Sequence, residues 1–179
     1  ITAKSLTVSG VTASDKTYDG SVTATMNSSS AVYSGFVNGD DFAASYSGVF
    51  SDKNVGSGKT VTITSSYAGA DVSNYNITDQ TSTTANISAK ALTATASASD
   101  KVYDGSSAAT STLTLSGFVG SETVTSTNSS TFNNKNAGTG KTVTVNSIIL
   151  ADGSNGGLAA NYSISTGQTT AANVTAKAL

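Results

Sequence analysis

The sequence predicts an all-β chain made of two tandem domains, on three observations. Short runs of β-branched residues alternate with Thr or Ser, as in Val22–Met26 and Val61–Thr64, and this period of two is typical of a strand with one buried face. Turn-forming residues such as the Asp19-Gly20 pair separate these runs. Most segments also occur twice. Short strands at such regular spacing predict antiparallel β-sandwich modules, either immunoglobulin-like or β-grasp-like.

The repeat defines the domains. The segment Asp15–Gly20 returns 85 positions later as Asp100–Gly105, and Phe50–Thr62 returns 82 positions later as Phe132–Thr144. Self-similarity at a fixed period is typical of a tandem array. A parallel β-helix is the main structural competitor, but its coils repeat every ~20–30 residues, and no such shorter period is present.

The beginning of the repeat occurs a third time. The segment Ile1–Leu6 matches Ile87–Leu92, and both match Val174–Leu179. We therefore expect the chain to be a fragment of a longer array. The predicted divisions are repeat 1 at 1–88, repeat 2 at 89–176 and the start of a third repeat at 174–179.

Each element of the first repeat follows from its local pattern. Six or seven strands are expected, near 4–13, 21–27, 31–36, 43–50, 59–67, 74–78 and 82–94. The least strand-like stretch, 35–42, has acids that could cap one short helical turn, and 117–124 is its counterpart. The junction 85–94 contains no Gly or Pro, so we expect continuous extended chain with Ile87 in one core and Leu92 in the next. Such a junction predicts end-to-end domains forming a stiff rod.

Composition excludes several function classes. The chain has no Cys and no His, its nine basic residues are all Lys, and its net charge is −2. Without Cys there is no disulfide or thiolate metal site. Nucleic-acid binding requires clustered basic residues, and no basic amphipathic segment suggests a membrane surface. The sequence therefore predicts a monomer that is not an enzyme and needs no cofactor.

Three motifs together resemble a known family. Each copy has Lys-x-Tyr-Asp-Gly near its start, then Gly-Phe-Val, then Lys-Asn-x-Gly-x-Gly-Lys. This combination resembles the YDG domain, and the resemblance covers essentially the whole chain twice. The signature residues, expected to be structural, are Tyr18, Asp19, Gly20, Tyr103, Asp104 and Gly105.

The resemblance implies a function. The family occurs in tandem in large bacterial surface and secreted proteins, including filamentous-haemagglutinin-like adhesins. It therefore implies a stalk or spacer at the bacterial cell surface, whose partners are the neighbouring repeats. The alternative is a binding module that contacts a glycan, or a host or matrix protein, through its loops. The family has no assigned catalytic or binding residues to carry over.

Two motifs could carry chemistry. The segment Lys53–Thr60 and its counterpart Lys135–Thr142 resemble a phosphate-binding loop, but Lys53 and Lys135 stand where that loop needs Gly, and a strand pattern follows instead of a helix. A hairpin turn is the favoured interpretation. Asp15 and Asp19 form an acid pair that suits turn capping, with a weak calcium site and glycoside hydrolysis as alternatives.

Other single residues were also candidates. Tyr46 corresponds to Asn128 and is expected to be the best exposed aromatic residue, a candidate ligand contact. The recurring Lys4, Lys90 and Lys177 are expected to keep their amines in water, with a Lys–Asn isopeptide crosslink as the alternative. The second copy has a five-residue insertion near 151–157, expected to be a surface loop.

Overall fold

The structure is a computed structural model that describes residues 1–179. It divides into two units, Ile1–Ser88 and Ala89–Leu179. The predicted all-β class is confirmed, since the regular structure is strands apart from two single 3₁₀ turns at Val72–Asn74 and Ala159–Asn161. The strands of the first unit are β1 (Lys4–Ser9), β2 (Thr12–Ala13), β3 (Lys16–Thr17), β4 (Thr23–Ala24), β5 (Met26–Asn27), β6 (Val32–Ser34), β7 (Ala43–Phe50), β8 (Gly56–Ala68), β9 (Tyr75–Thr78) and β10 (Ser82–Ser88).

The second unit repeats this order. Its strands are β11 (Lys90–Ala91), β12 (Thr93–Ala98), β13 (Lys101–Val102), β14 (Ala108–Ala109), β15 (Ser111–Ser116), β16 (Val124–Phe132), β17 (Gly138–Asp152), β18 (Tyr162–Ser163) and β19 (Thr169–Thr175). Together, β11 and β12 correspond to β1 and β2, with the break at Leu92. Val174 is buried in the last strand of this unit, as Ile87 is in β10, and residues 176–179 follow that strand.

Each unit has one five-stranded sheet and smaller sheets that accompany it. In the first, a three-stranded sheet has the order β6-β1-β9, a five-stranded sheet has the order β3-β10-β8-β7-β4, and a two-stranded ladder joins β2 to β5. In the second, the five-stranded sheet has the order β13-β19-β17-β16-β14, and two-stranded ladders join β11 to β18 and β12 to β15. The last strand of each unit therefore lies inside its sheet with a partner on both sides, as β1 does in the first unit.

The sheets are mixed, so the prediction of purely antiparallel modules was wrong in this detail. Strand β1 pairs with β9 in parallel, with Lys4 opposite Tyr75, and β3 pairs with β10 in parallel, with Lys16 opposite Ile87. The second unit has the same two parallel pairings. Alternation along a strand reports which face is buried and carries no information on the direction of its neighbour.

The core lies between the sheets. In the first unit Val8 and Val11 from the N-terminal segment pack with Ile63 of β8, and Tyr33 and Ile77 cover this cluster. In the second, Phe132 and Val143 pack with Ala172 and Val174. These residues alternate with exposed Thr and Ser, which is why the same runs form strands with one buried face.

Two local expectations were corrected. The stretch 35–42 is irregular chain with isolated turns, in which the Asp40 N–H donates to the Val37 carbonyl at 3.3 Å, and the short helical turn lies at Val72–Asn74 instead. The junction is not one continuous strand, because β10 ends at Ser88 and β11 begins at Lys90. Ile87 and Leu92 are both buried, at 2% and 4% exposure.

Candidate functional site

The signature sequence builds a corner around Lys16, which we call the lysine corner (residues 16–23, and 101–108 in the second unit). The Lys16 Nζ lies 2.8 Å from the Asp19 Oδ1, 2.8 Å from the Ser21 carbonyl and 3.2 Å from the Thr23 carbonyl. It also lies 5.4 Å from the centre of the Phe50 ring. The ammonium group thus donates to one carbonyl in the turn that follows β3 and to another at the start of β4.

Asp19 and Gly20 shape the turn that supplies those oxygens. The Asp19 Oδ1 accepts the Ser21 N–H at 2.8 Å, an arrangement that short acidic side chains favour in turns. Gly20 has a φ of 78°, a conformation that costs little only without a Cβ. Burial raises the pKa of Asp19, but the hydrogen bonds from Lys16 and Ser21 outweigh it and lower the pKa.

The second unit reproduces the corner. The Lys101 Nζ lies 2.9 Å from the Asp104 Oδ1, 2.8 Å from the Ser106 carbonyl and 2.9 Å from the Ala108 carbonyl. Gly105 has a φ of 82°. The hydrogen bond from Lys101 is the main cause of the lowered pKa of Asp104. The tripeptide signature is therefore half of a motif whose other half is the preceding lysine.

The signature tyrosines continue the parallel ladder. The Tyr18 N–H donates to the Ser88 carbonyl at 2.8 Å, and the Tyr103 N–H donates to the Thr175 carbonyl at 2.8 Å. The Tyr18 side chain is 1% exposed, with the Lys53 amine 5.9 Å from its ring centre. Tyr103 is half-buried against the second core.

A second motif, centred on Asn86, ties the corner to the last strand. The Asp15 carboxylate accepts the Asn86 N–H at 2.7 Å and the Asn86 Nδ2 at 2.9 Å. The Asn86 Oδ1 in turn accepts the Gly58 N–H at 2.8 Å. Asn86 lies where the pairing of β10 with β8 shifts register, so its side chain satisfies the groups that the bulge releases.

This asparagine was not among the residues predicted from the sequence. In the second unit Asn173 plays the same part, with the Asp100 carboxylate at 2.6 and 2.8 Å and the Gly140 N–H at 2.7 Å. The signal was present as the recurrence of Asn-Ile at Asn86 and Asn-Val at Asn173. We call the Asp15–Asn86–Gly58 and Asp100–Asn173–Gly140 sets the asparagine clamps.

The acid pair does not form one site. Asp15 binds Asn86 on the last strand, whereas Asp19 binds Lys16 within the corner. The hydrogen bond from the Asn86 backbone is the main cause of the lowered pKa of Asp15, and that from the Asn173 backbone acts likewise on Asp100. No group of three or more acidic residues that could hold a metal ion is found in the chain.

The resemblance to a phosphate-binding loop is contradicted by the structure. The segment from Gly56 runs directly into β8 and no helix follows. The Gly58 N–H, which such a loop would offer to a phosphate, donates to the Asn86 Oδ1. Gly58 and Gly140 have φ values of 58° and 57° and lie within β8 and β17, beside the register shifts of these strands, so they serve the bulge and the clamp and not the expected hairpin turn.

The expectation that Tyr46 is exposed was wrong. On β7 it alternates onto the same inward face as Gly48 and Phe50, and its hydroxyl donates to the Tyr33 hydroxyl at 3.1 Å. Burial is the main cause of the raised pKa of Tyr46. Its role as a ligand contact stays a prediction, without the exposure on which it was based.

Tyr46 belongs to an aromatic cluster found in the first unit. Phe42 lies at its centre, with ring centroids 5.6 Å from Tyr33, 5.6 Å from Phe36, 5.5 Å from Tyr67 and 6.0 Å from Tyr75. The corresponding positions of the second unit include Leu115, Val124 and Ile149. The first unit also has a contact between Phe36 and Tyr75 at 6.2 Å, and its counterpart in the second unit joins Phe118 and Tyr162 at 5.6 Å.

Tyr75 and Tyr162 hold the irregular segment that precedes β7 and β16. The Tyr75 hydroxyl accepts the Val37 N–H at 3.0 Å and donates to the Asp40 carboxylate at 2.5 Å. The Tyr162 hydroxyl accepts the Val119 N–H at 3.1 Å and donates to Glu122 at 2.7 Å. Each of these hydroxyls therefore binds one backbone N–H and one carboxylate.

The remaining sequence candidates do not gather into a site. Lys4 and Lys177 are exposed and Lys90 is half-buried. The insertion begins at the end of β17 and continues as an exposed turn, in which the Gly153 N–H donates to the Gly157 carbonyl at 2.9 Å. No helix in the chain has the length and apolar character needed to cross a membrane.

Comparison with known proteins identifies the family. No curated protein and no solved structure matches the chain. The family model described as "YDG domain" matches residues 2–85 and again residues 88–172, which together make up nearly the whole chain. The two matches each contain one lysine corner with its signature residues. The chain therefore belongs to the YDG domain family and carries two YDG domains in tandem.

Proposed function

We propose that these domains are structural stalk or spacer repeats of a bacterial extracellular adhesin, which hold a binding region away from the cell surface. The observation that carries the proposal is the duplication of the asparagine clamp and the lysine corner. The clamp joins the beginning of a unit to its last strand, and the corner begins on β3 or β13, whose backbone pairs with that same strand. The polar residues that the two units share are thus used to hold the unit together, which a spacer requires.

The side-chain chemistry supports the same role. The lysines and acids of the signature are paired with each other and with backbone groups. The segments that resembled catalytic or nucleotide-binding motifs use their polar groups for turns and clamps. The proposed partners are neighbouring repeats of the same chain, and the proposed location is the bacterial cell surface.

Small-angle X-ray scattering of the two-domain chain tests the spacer. A stiff spacer should give one extended particle of fixed length. The matched control is a variant with a Gly-Ser linker inserted between Ser88 and Ala89, which should scatter as a hinged pair. Identical scattering curves for the native chain and this control would contradict the proposal.

The second candidate function is an adhesive module that binds a glycan, or a host or matrix protein. It is favoured by the difference between the two units, since the aromatic cluster around Phe42 occurs in the first and the loop insertion near 151–157 occurs in the second. Glycan-array and matrix-protein binding by the two-domain chain tests it. Binding that is lost on deleting the insertion or on changing Tyr46 to Ala in a folded variant would favour this role over the spacer.

A further inference from the structure

The position of the terminal strands determines where tension on the ends of a unit is applied to its sheets. In the first unit, β1 lies between β6 and β9, and β10 lies between β3 and β8. Tension applied to the two ends of the unit therefore enters through two strands that are hydrogen-bonded on both sides. Neither terminal strand is an edge strand that could be peeled away one bond at a time.

The direction of pairing decides how the bonds are loaded. Strand β3 runs parallel to β10, with Thr17 opposite Ser88. In a parallel pair the N-terminal end of one strand and the C-terminal end of the other lie at opposite ends of the ladder. Tension that passes from β1 through β2 to the N-terminal end of β3, and acts at the C-terminal end of β10, slides these two strands along each other. The hydrogen bonds between them are then loaded together rather than in sequence.

Side chains reinforce this ladder at the same place. The Asp15 carboxylate holds the Asn86 backbone and side chain directly beside the β3–β10 pairing. The Tyr18 N–H extends the pairing to the Ser88 carbonyl, and the Ser88 hydroxyl donates to the Lys16 carbonyl at 3.3 Å. The lysine corner then fixes the chain that leaves β3.

The second unit repeats each of these parts. Strand β19 lies between β13 and β17, and the segment of β11 and β12 has β18 on one side and β15 on the other. The Tyr103 N–H donates to the Thr175 carbonyl, and the Thr175 hydroxyl donates to the Lys101 carbonyl at 3.3 Å. Because the second unit has the same ladder and the same clamp, the arrangement is a shared feature of both domains and not a peculiarity of the first.

We propose that each YDG domain is a force-bearing module, in which the parallel ladder and its asparagine clamp form a shear clamp that resists tension applied to the two ends of the domain. The clamp is a property of a single domain. It holds whether the chain serves as a spacer or as a binding module, so its test is independent of the scattering experiment.

Single-molecule force spectroscopy on the two-domain chain tests the clamp. Pulled by its termini, the chain should unfold in two separate events, each releasing about 300 Å of contour length, since the first unit has 88 residues and an extended chain spans ~3.6 Å per residue. Because the chain has no Cys, handles can be attached at chosen positions through single introduced cysteines. Handles on Ala43→Cys and Ala68→Cys, kept reduced before coupling, pull on the paired exposed ends of β7 and β8.

The pulling direction gives the first comparison. Tension between positions 43 and 68 unzips β7 from β8 bond by bond, whereas tension between the termini shears the clamp. We expect the end-to-end unfolding force to be about twofold higher or more, because several hydrogen bonds must break together instead of one after another. Equal forces in the two directions would overturn the proposal.

A matched pair of variants gives the second comparison. Asp15→Ala removes a carboxylate that accepts the Asn86 N–H and Nδ2, and Asp71→Ala removes one that accepts the Asp41 N–H and the Asn74 Nδ2, away from the clamp. We expect Asp15→Ala to lower the force of one unfolding event and leave the other, from the unaltered second domain, unchanged. Asp71→Ala should leave both forces unchanged. The proposal fails if Asp15→Ala leaves both forces as in the native chain, or if the two variants lower the force equally.

Discussion

Ser111 and Ser130 share a hydrogen bond of 2.6 Å between their hydroxyls at the place where the first domain has Met26 and Gly48. A Cβ on Gly48 would lie 2.2 Å from the Met26 Sδ and 2.9 Å from the Val61 Cγ1. The two domains therefore fill the same space with different pairs, a long side chain over a glycine in one and two hydroxyls in the other.

This relationship predicts coupling between the two positions. Gly48→Ser alone should destabilise the first domain by about 1–3 kcal/mol, because the new side chain overlaps Met26. Met26→Ser combined with Gly48→Ser should cost less than the sum of the two single changes, since the sulfur is gone and the hydroxyls can pair. Urea unfolding of the two single variants and the double variant gives the coupling energy, and strictly additive losses would contradict the packing relationship.

The lysine corner predicts a stabilising role for the Lys16 amine. Lys16→Met keeps the stem beside Phe50 but removes the donor to Asp19 and to two carbonyls. We expect a loss of about 2 kcal/mol in the free energy of unfolding of the first domain, because oxygens that the amine satisfied lose their donor. Lys4→Met, at an exposed position of β1, is the control and should change stability by less than about 0.5 kcal/mol. Equal effects in denaturant unfolding would show that the corner contributes only packing.

Acid is expected to weaken both domains. Hydrogen bonding lowers the pKa of Asp15 and Asp100 in the folded chain, below the value of about 3.9 for an unfolded aspartate. The stability that these groups contribute is therefore present above about pH 4 and is lost as the pH falls through their folded pKa values. Thermal unfolding should show a constant melting temperature from about pH 7 to 5 and a decline below about pH 4.

A variant with Asp15→Ala and Asp100→Ala is the control for the acid prediction. It lacks this contribution at every pH, so its melting temperature should start lower and decline less on acidification. If the melting temperatures of the variant and the native chain declined in parallel as the pH falls, other carboxylates would be responsible for the acid sensitivity.

The two tyrosine–acid pairs are expected to differ in strength. Tyr162 donates to Glu122, which is 7% exposed, whereas Tyr75 donates to the half-buried Asp40. Tyr162→Phe should cost about 2–3 kcal/mol and Tyr75→Phe about 1 kcal/mol, since a lost partner costs more at a more buried charged group. Calorimetric unfolding of the two variants measures both losses, and a larger loss for Tyr75→Phe would contradict this ranking.

Much of the fold was predictable because burial alternates so regularly. Strand β7 was expected at 43–50 and lies at Ala43–Phe50, and the all-β class follows from the same pattern. The parallel pairing of Lys16 with Ile87 was not predictable, since it joins residues 71 positions apart. The alternation of buried and exposed residues along each strand is the same whether its neighbour runs parallel or antiparallel.

The candidate site was predictable only in part, for a similar reason. The signature turn at Asp19 and Gly20 is local, and residue type is enough to predict that a turn lies there. Asn86 occupies an exposed position in an alternating strand, so nothing nearby distinguishes it from a solvated polar residue. Tyr46 was expected to be exposed because its counterpart is Asn128, but that asparagine is itself half-buried and donates to Ser111 at 2.6 Å.

The interior position of the last strand also governs the order in which a domain can be completed. As a chain emerges from a ribosome, β3 has no partner to join it to β8 until β10 arrives between them. The five-stranded sheet therefore cannot be completed until the final residues of the domain are free. A domain built in this way combines late completion during synthesis with direct joining of β3 to the last strand once it is complete.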